Sequence, residues 1–420
     1  MHERKRVILH SDLNNFFASV EIARNLALAG KPLIVCGDPK ERHGIVLAKN
    51  EEAKKYGIKT AETVYSALKK CPDLQMVGSH MHEYKRFSRK VVEIYARYTD
   101  KIEECSIDEC ALDMTESTFL FGSGREIAER IRAEVKAELG LTVSIGISFN
   151  KVFAKLASEL KKPDAVTEIT EENYKDIVWK LPVGELLFVG KSTAETLGKI
   201  GVHTIGDLAV ADEELLSRFL GKRGRQLRVY ARGEDAEPVK FEKKKEDLKS
   251  IGNSTTLPRD ITDREEVKRW FYALAESVSG RLRAADVGRA NTVHIVVRNE
   301  RLEDTTCQTK VLPTTLCGDI AKAAYELFCA HFPLGTRVRM LGITVSGFDY
   351  HVEQMSLDSF LSGDRANYDK KERAESAIAK LREKYGYASV QRGLILEDEK
   401  LSGLDIRGKK EETSSNEDTE

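Results

Sequence analysis

The sequence predicts an α+β protein of several domains, and three observations predict it. Strand-like and helix-like segments alternate from residue 7 to about residue 170. A glycine-punctuated helical stretch follows, and beyond a charged tether six elements come in the order β-α-β-β-α-β. At 420 residues the chain also exceeds one ordinary domain.

The first section opens on Val7-Ile8-Leu9-His10-Ser11, a short apolar strand, and Asn15 to Leu28 carries helical spacing at Phe16, Val20, Ala23 and Ala27. Pro32 to Cys36 reads as another strand. Phe87, Val91, Ile94, Tyr95 and Tyr98 mark Glu83 to Tyr98 as a long amphipathic helix. Lys101 to Met114 reads as a hairpin, Arg125 to Leu139 as a helix and Leu141 to Ser148 as a strand. This order predicts a mixed or antiparallel sheet with helices packed on one face. From Leu181 to Gly233 short helical pieces alternate with glycines. Residues Glu237 to Lys249, with Pro238 and Lys243-Lys244-Lys245, hold too little apolar content to fold alone and read as a tether. Next come a strand, a helix (Asp263 to Ala285), strands at Thr292 to Arg298 and Thr305 to Leu312, a helix (Thr315 to Phe332) and a strand (Val338 to Ser346). A charged helix at Lys370 to Lys384 and a Ser/Glu-rich end, read as disordered, complete the chain.

Composition bounds the function without naming it. No apolar run approaches the ~18 residues of a membrane span, and the opening residues lead only into a short strand, so a cytoplasmic protein is expected. Seven cysteines with no C-x-x-C pair read as reduced thiols, not as a zinc site or a disulfide framework. The net charge is −1, but residues 351–420 hold 12 basic and 16 acidic side chains, leaving 55 and 52 in the body. A slightly positive body is compatible with nucleic acid without arguing for it.

Three carboxylates carry the chemistry. Asp12 ends the first strand, and Asp108-Glu109 sits at the hairpin tip. Adjacent acids beside a partly buried strand are costly unless solvated, paired or bound to a cation. Two or three carboxylates, completed by substrate phosphates, suit Mg²⁺, and two such ions could activate a hydroxyl and stabilise a leaving oxygen in phosphoryl transfer. Among 68 acidic residues an Asp-Glu pair alone would read as turn acids.

Context decides. Leu9 to Glu21 resembles the opening motif of Y-family DNA polymerases, Ser106-Ile107-Asp108-Glu109 their second metal motif, and Asn150 to Ser158 with Lys162-Pro163 a third. The resemblance runs to about Asp349 and is closest to the DNA polymerase IV (DinB-type) branch. It implies a right-hand polymerase: residues 1–170 palm with small fingers (about 13–74), 171–236 helical thumb with helix-hairpin-helix turns, 237–249 linker, 250–349 little finger, and 350–420 tail. It implies that Asp12 and Asp108 bind two Mg²⁺ ions, that Glu109 helps bind the catalytic one, and that the Leu13 main-chain carbonyl is a further ligand. Phe17 is implied as a steric gate under the incoming sugar; without the flanking motif it would read as a core aromatic. Lys54 and Lys162 fall where the family contacts the β- and γ-phosphates, Lys54 replacing an arginine with a point charge. Glu51 replaces a tyrosine, and an ionised carboxylate cannot donate to phosphate. Either Glu51 points away, or the local alignment differs, or nucleotide binding is weakened.

Leu186 to Ala194 resembles a helix-hairpin-helix turn, and Phe219 to Arg225 has the same character. Gly190, Lys191, Gly221, Lys222 and Arg223 are the implied contacts to the DNA backbone, through main-chain N–H groups and positive charge. Arg289, Arg298 and Lys310 are candidate phosphate contacts on the little finger. Gln354, Leu357 and Phe360 resemble a sliding-clamp peptide with one extra residue before the aromatic. His80-x-His82 lacks further ligands and reads as a loop entering a helix, and Gly122-Ser123-Gly124 reads as a helix cap. The reading is thus a primer-extending, monomeric, low-fidelity polymerase acting in translesion synthesis and repair, with primer-template DNA, deoxynucleoside triphosphates and a sliding clamp as partners. The alternatives are an inactive DNA- and clamp-binding factor, for which Glu51 speaks, and another palm-type phosphoryl-transfer enzyme.

Overall fold

The computed structural model describes residues 5–37, 44–240, 248–349, 364–386 and 389–396. Compact units are formed by the described residues up to 240 and by those from 248 onward. Gln354, Leu357 and Phe360, like Lys243-Lys244-Lys245, lie outside the described residues.

The first unit is built on a five-stranded sheet in the order Ile102–Glu104, Glu109–Asp113, Ile8–Leu13, Val143–Ser148, Val166–Glu168. The central pair, Ile8–Leu13 and Val143–Ser148, is buried along its whole length. Val143–Ser148 is accordingly a run of hydrophobic and small residues, whereas Ile8–Leu13 buries His10 and Asp12 among its apolar side chains. Because strand side chains alternate, Leu9 and Leu13 join the apolar stripes of the helices Met81–Tyr95 and Gly124–Leu139. Ile8, His10 and Asp12 point to the opposite face, where Ile8 packs against Ala154 of the helix Lys151–Leu160. The expectation of helices on one face is therefore corrected: two helices cover one face and a third covers the other. Gly146 permits this third helix to lie close, since a Cβ there would stand 2.0 Å from the Ala154 carbonyl oxygen and 2.4 Å from the Ser158 nitrogen. The expected cap at Gly122-Ser123-Gly124 is a capping box between Ser123 and Glu126.

A smaller three-stranded sheet, in the order Val46–Lys49, Leu33–Cys36, Gln75–Gly78, carries the helices Glu51–Lys55 and Val64–Lys70 on its own core of Ile34, Val46, Ala53, Ile58 and Ala67. Residues 191–231 form four helices, and their core includes Val152, Phe153 and Leu156 from the helix Lys151–Leu160. The beginning of the expected tether is ordered against the same unit. Val239 is buried beside Ile8, Ala111 and Ala154, and the Lys240 N–H donates to Glu103 at 2.8 Å.

The second unit has the expected β-α-β-β-α-β order. Its antiparallel sheet runs Asp304–Thr314, Arg289–Asn299, Val338–Asp349, Ser250–Ile261, with the helices Arg264–Ala285 and Cys317–His331 over Val293, Ile295, Leu341, Ile343 and Val345. The charged helix of the tail spans Asp364–Tyr385, longer than its charge pattern suggests, and belongs to this unit. Its Glu375 accepts from the Cys317 N–H at 3.1 Å and pairs with Arg283, while Arg382 reaches Glu276 at 3.2 Å. Arg289 is held by this helix, through Glu372 at 3.4 Å and the Tyr368 ring at 4.4 Å. Arg298 is bidentate to Asp304 at 2.7 and 2.8 Å, and Lys310 is exposed.

Candidate active site

Strand register brings the carboxylates together. Asp12 pairs directly with Glu109 across two antiparallel strands, so both side chains leave the sheet at one point of one face. The hairpin tip folds back on the end of the central strand: the Leu13 N–H donates to the Asp108 carbonyl at 3.0 Å. The Asp108 side chain accepts from the Ser106 hydroxyl at 2.6 Å. Leu13 thus ties the residue after Asp12 to the main chain of Asp108.

The close helix Lys151–Leu160 lowers cations onto this group. The Lys155 ammonium donates to Asp12 Oδ2 at 2.8 Å, to Glu109 Oε1 at 2.9 Å and to Glu159 Oε1 at 2.7 Å. Lys162 shares the same Asp12 oxygen at 2.7 Å and Glu159 at 2.9 Å. Arg132 and Lys136 brace the turn that carries Lys162, at 2.7 Å from the Asp164 carbonyl and 3.0 Å from Asp164 Oδ2. Burial pushes the Asp12 carboxyl upward, and the two ammonium groups pull it back. The His10 ring and the Lys155 ammonium hold Glu109 down at about 2. Burial opposes the charge on Lys155, yet its three carboxylate partners outweigh it and keep the ammonium above the ordinary lysine range.

His10 is 4% exposed, and its Nε2 stands 3.4 Å from Glu109 Oε2. That is beyond a well-formed hydrogen bond, and Nε2 has no other polar partner among the described residues. His10, Asp12 and Glu109 have ligand atoms within 4.8 Å of one another, a group able to hold a metal ion. The donor set fits a divalent cation of the hard class. The carboxylates of Asp12 and Glu109 already converge on one positive charge, the Lys155 ammonium, which stands in for it.

Phe17 lies in the first turn of the helix Phe16–Arg24, half-buried. Its ring is stacked on Tyr84 with centroids 4.2 Å apart and planes 10° from parallel. Tyr84 is fully buried; its hydroxyl donates to Glu21 at 2.7 Å and accepts from the His80 N–H at 3.1 Å. His80 Nδ1 also lies 2.9 Å from Glu21, so His80 belongs to the seat of Phe17 and to a helix start, as its sequence context suggests. Glu51 accepts from the Asn15 side chain at 3.1 Å and lies 3.6 Å from Lys54. Its charge is thereby engaged within the small-sheet region. Lys54 makes no ion pair with Asp12, Asp108 or Glu109, whereas Lys162 does.

Gly190 and Gly221 precede the helices Lys191–Lys199 and Lys222–Ala231, and Gly221 has φ +60°, a conformation that favours glycine. Lys191, Lys222 and Arg223 are exposed. Sequence reasoning gave no role to Lys155, Glu159, His10, Tyr84 or Glu21. The spacing of Lys155 and Glu159, four residues apart, was the available signal, since it places both on one face of the helix Lys151–Leu160, with Lys162 just beyond its end.

Comparison with known proteins agrees with this geometry. Residues 11–159 match the model of the impB/mucB/samB family, and residues 248–357 match the model of the C-terminal domain of that family. DNA polymerase IV of Acetivibrio thermocellus is 46% identical over 401 residues, covering 95% of this chain and 100% of the relative. DNA polymerase IV 1 of Bacillus subtilis is 40% identical, covering 95% of each chain. A solved Y-family DNA polymerase chimera superposes with a TM-score of 0.73 at 25% identity, covering 82% of this chain and all of the other. The mixed α/β fold with several sheets is accordingly that of a right-hand polymerase with palm, fingers, thumb and little finger. Its sequence, its domains and the ordering of its acidic strand ends place this chain in the impB/mucB/samB family, among the DNA polymerase IV branch of the Y-family DNA polymerases.

Proposed function

We propose that this chain extends a primer 3′-hydroxyl on a DNA template with deoxynucleotides, at low fidelity and without a proofreading exonuclease, in translesion synthesis and repair. The observation that carries the reading is the convergence of Asp12 and Glu109 on one cation beside Asp108. In the reaction the O3′–Pα bond forms, the bond from Pα to the bridging oxygen breaks, and pyrophosphate leaves. Two Mg²⁺ ions, when bound, supply activation of the hydroxyl and stabilisation of the leaving oxygen. Asp12, Asp108, Glu109 and the Leu13 carbonyl hold them. Lys162, already beside Asp12, and Lys54 neutralise the triphosphate. The Phe17 ring, fixed on Tyr84, excludes a ribose 2′-hydroxyl. Gly190, Lys191, Gly221, Lys222 and Arg223 grip the DNA backbone without reading sequence. The low fidelity follows from the small fingers, which leave few contacts to check the nascent pair. Binding of a sliding clamp through Gln354, Leu357 and Phe360, a monomeric state and a cytoplasmic location complete the reading.

The test is primer extension with Mg²⁺ on undamaged and lesion-bearing templates, wild type against Asp108→Ala, with deoxynucleotides and ribonucleotides compared. The reading expects extension by the wild type alone and a strong preference for deoxynucleotides. In Phe17→Ala that preference falls roughly 100-fold, because a steric rejection has been removed. DNA binding without extension under any metal would replace the polymerase with an accessory factor.

A further inference from the structure

The thumb carries a feature that phosphate-binding turns do not require. Phe188 has φ +71°, in the left-handed region where a residue with a Cβ is strained and glycine is not. The residue is 53% exposed. A strained backbone and an exposed aromatic ring are each unfavourable, and glycine at this position would remove both. The ring is nevertheless held in place. It lies against Tyr230 with centroids 5.8 Å apart, and the Arg223 guanidinium sits 4.7 Å from its centroid. Arg223 and Tyr230 are seven residues apart on the helix Lys222–Ala231 and so share one face. The ring therefore joins the turn before Lys191 to the turn before Lys222.

The other arginines of that helix are engaged within the protein. Arg225 donates to the Ser217 hydroxyl at 2.8 Å, and Arg228 donates to the Ala211 carbonyl at 3.0 Å and to Glu213 at 3.4 Å. Arg223 is exposed and makes no ion pair among the described residues; the Phe188 face is its contact. Lys191 and Lys222 are exposed beside it, again without an ion pair among the described residues. An apolar ring surrounded by free cations is complementary to a surface that alternates apolar sugar with phosphate.

We propose that Phe188 and Arg223 form one docking element for a nucleic-acid backbone, the ring lying on a deoxyribose and the guanidinium on the adjoining phosphate. The proposal rests on the polymerase reading and adds an aromatic contact to it. Arg223 stacked on the ring is held with its donors outward, which lowers the entropy lost when it meets a phosphate.

Fluorescence anisotropy of a labelled primer-template duplex over a series of salt concentrations tests it, with thermal unfolding of each variant measured in parallel. Phe188→Gly is expected to be at least as stable as wild type, to bind about 5–10-fold more weakly and to keep the wild-type salt slope. Arg223→Ala is expected to lower the salt slope by about one. Phe188→Tyr, which keeps the ring, should bind as wild type. Wild-type affinity in Phe188→Gly, or equal weakness in the Gly and Tyr variants, overturns the proposal while leaving the polymerase intact. A wild type that does not bind primer-template overturns the polymerase reading, and this proposal with it.

Discussion

Two clusters of buried carboxylates and cations, one in each unit, use the same charges to opposite ends. In the second unit, Glu276 and Glu375 are only 4% and 11% exposed and are met by arginines from three places in the chain. Arg392 spans both carboxylates at 2.9 Å each, Arg382 takes the second Glu276 oxygen at 3.2 Å, and Arg283 with Ser279 takes Glu375 Oε2. Each oxygen has a partner, and a planar fork fixes each geometry. In the first unit, beside the five-stranded sheet, the cations are lysines. Two ammonium groups crowd onto one oxygen of Asp12, and Glu109 is 28% exposed. A lysine is a point charge on a flexible stem, so another cation can displace it without dismantling a hydrogen-bonded fork. The arginine cluster locks a helix to a domain, and on the proposed reading the lysine cluster leaves its carboxylates open to an exchange of cations.

The comparison breaks most sharply at Asp12. Asp12→Asn should lower single-nucleotide incorporation by well over the ~100-fold that loss of a supporting residue costs, because on the proposed reading the group removed is itself a metal ligand. Quenched-flow primer extension measures this. In the second unit, Glu375→Ala leaves Arg283 and Arg392 facing each other without their shared anion. It should destabilise the second unit by about 3 kcal/mol, seen in thermal or urea unfolding and unaffected by Mg²⁺.

Lys155→Ala separates the two clusters by kind. It leaves Asp12 and Glu109 without their common cation, so activity should fall roughly 10–100-fold. The melting temperature should also fall, and Mg²⁺ should restore it more than it raises that of the wild type. Equal Mg²⁺ responses in the two proteins would put the lysine in the same class as the arginines.

The smallest effect is on the acid limb of stability in chelator. Glu109 has its carboxyl lowered from 4.5 to about 2 by His10 and Lys155. Its contribution is therefore complete above pH 4.5 and is lost as pH falls toward about 2. Glu109→Gln should flatten the loss of stability in that window, as followed by circular dichroism.

The carboxylate cluster was legible because its acidic residues sit in short motifs on or beside the strands of the five-stranded sheet. Asp12 and Asp108-Glu109 can be found one motif at a time. Their supports cannot, since Lys155 lies 143 residues from Asp12 and 46 from Glu109, and only the folded register brings them together. The arginine cluster was illegible for the same reason. Arg392 meets Glu276 across 116 residues and Arg382 meets it across 106, so a helix rich in charge reads as solvated until its partners are placed. The little finger itself was visible in alternating strands and long apolar stripes, with end residues displaced by a few positions. Phe188 was hidden because backbone strain has no signature in composition: its residue type gave no hint of a positive φ.

The most direct test of the displaceable-cation account is a Mg²⁺ titration of single-nucleotide incorporation by wild type and Glu109→Gln on the same primer-template. The account predicts that the wild type saturates at a lower Mg²⁺ concentration and reaches a higher rate, the variant needing roughly 10–100-fold more metal. Coincident titrations with equal plateau rates would mean that Glu109 does not help hold the catalytic cation, and would contradict it.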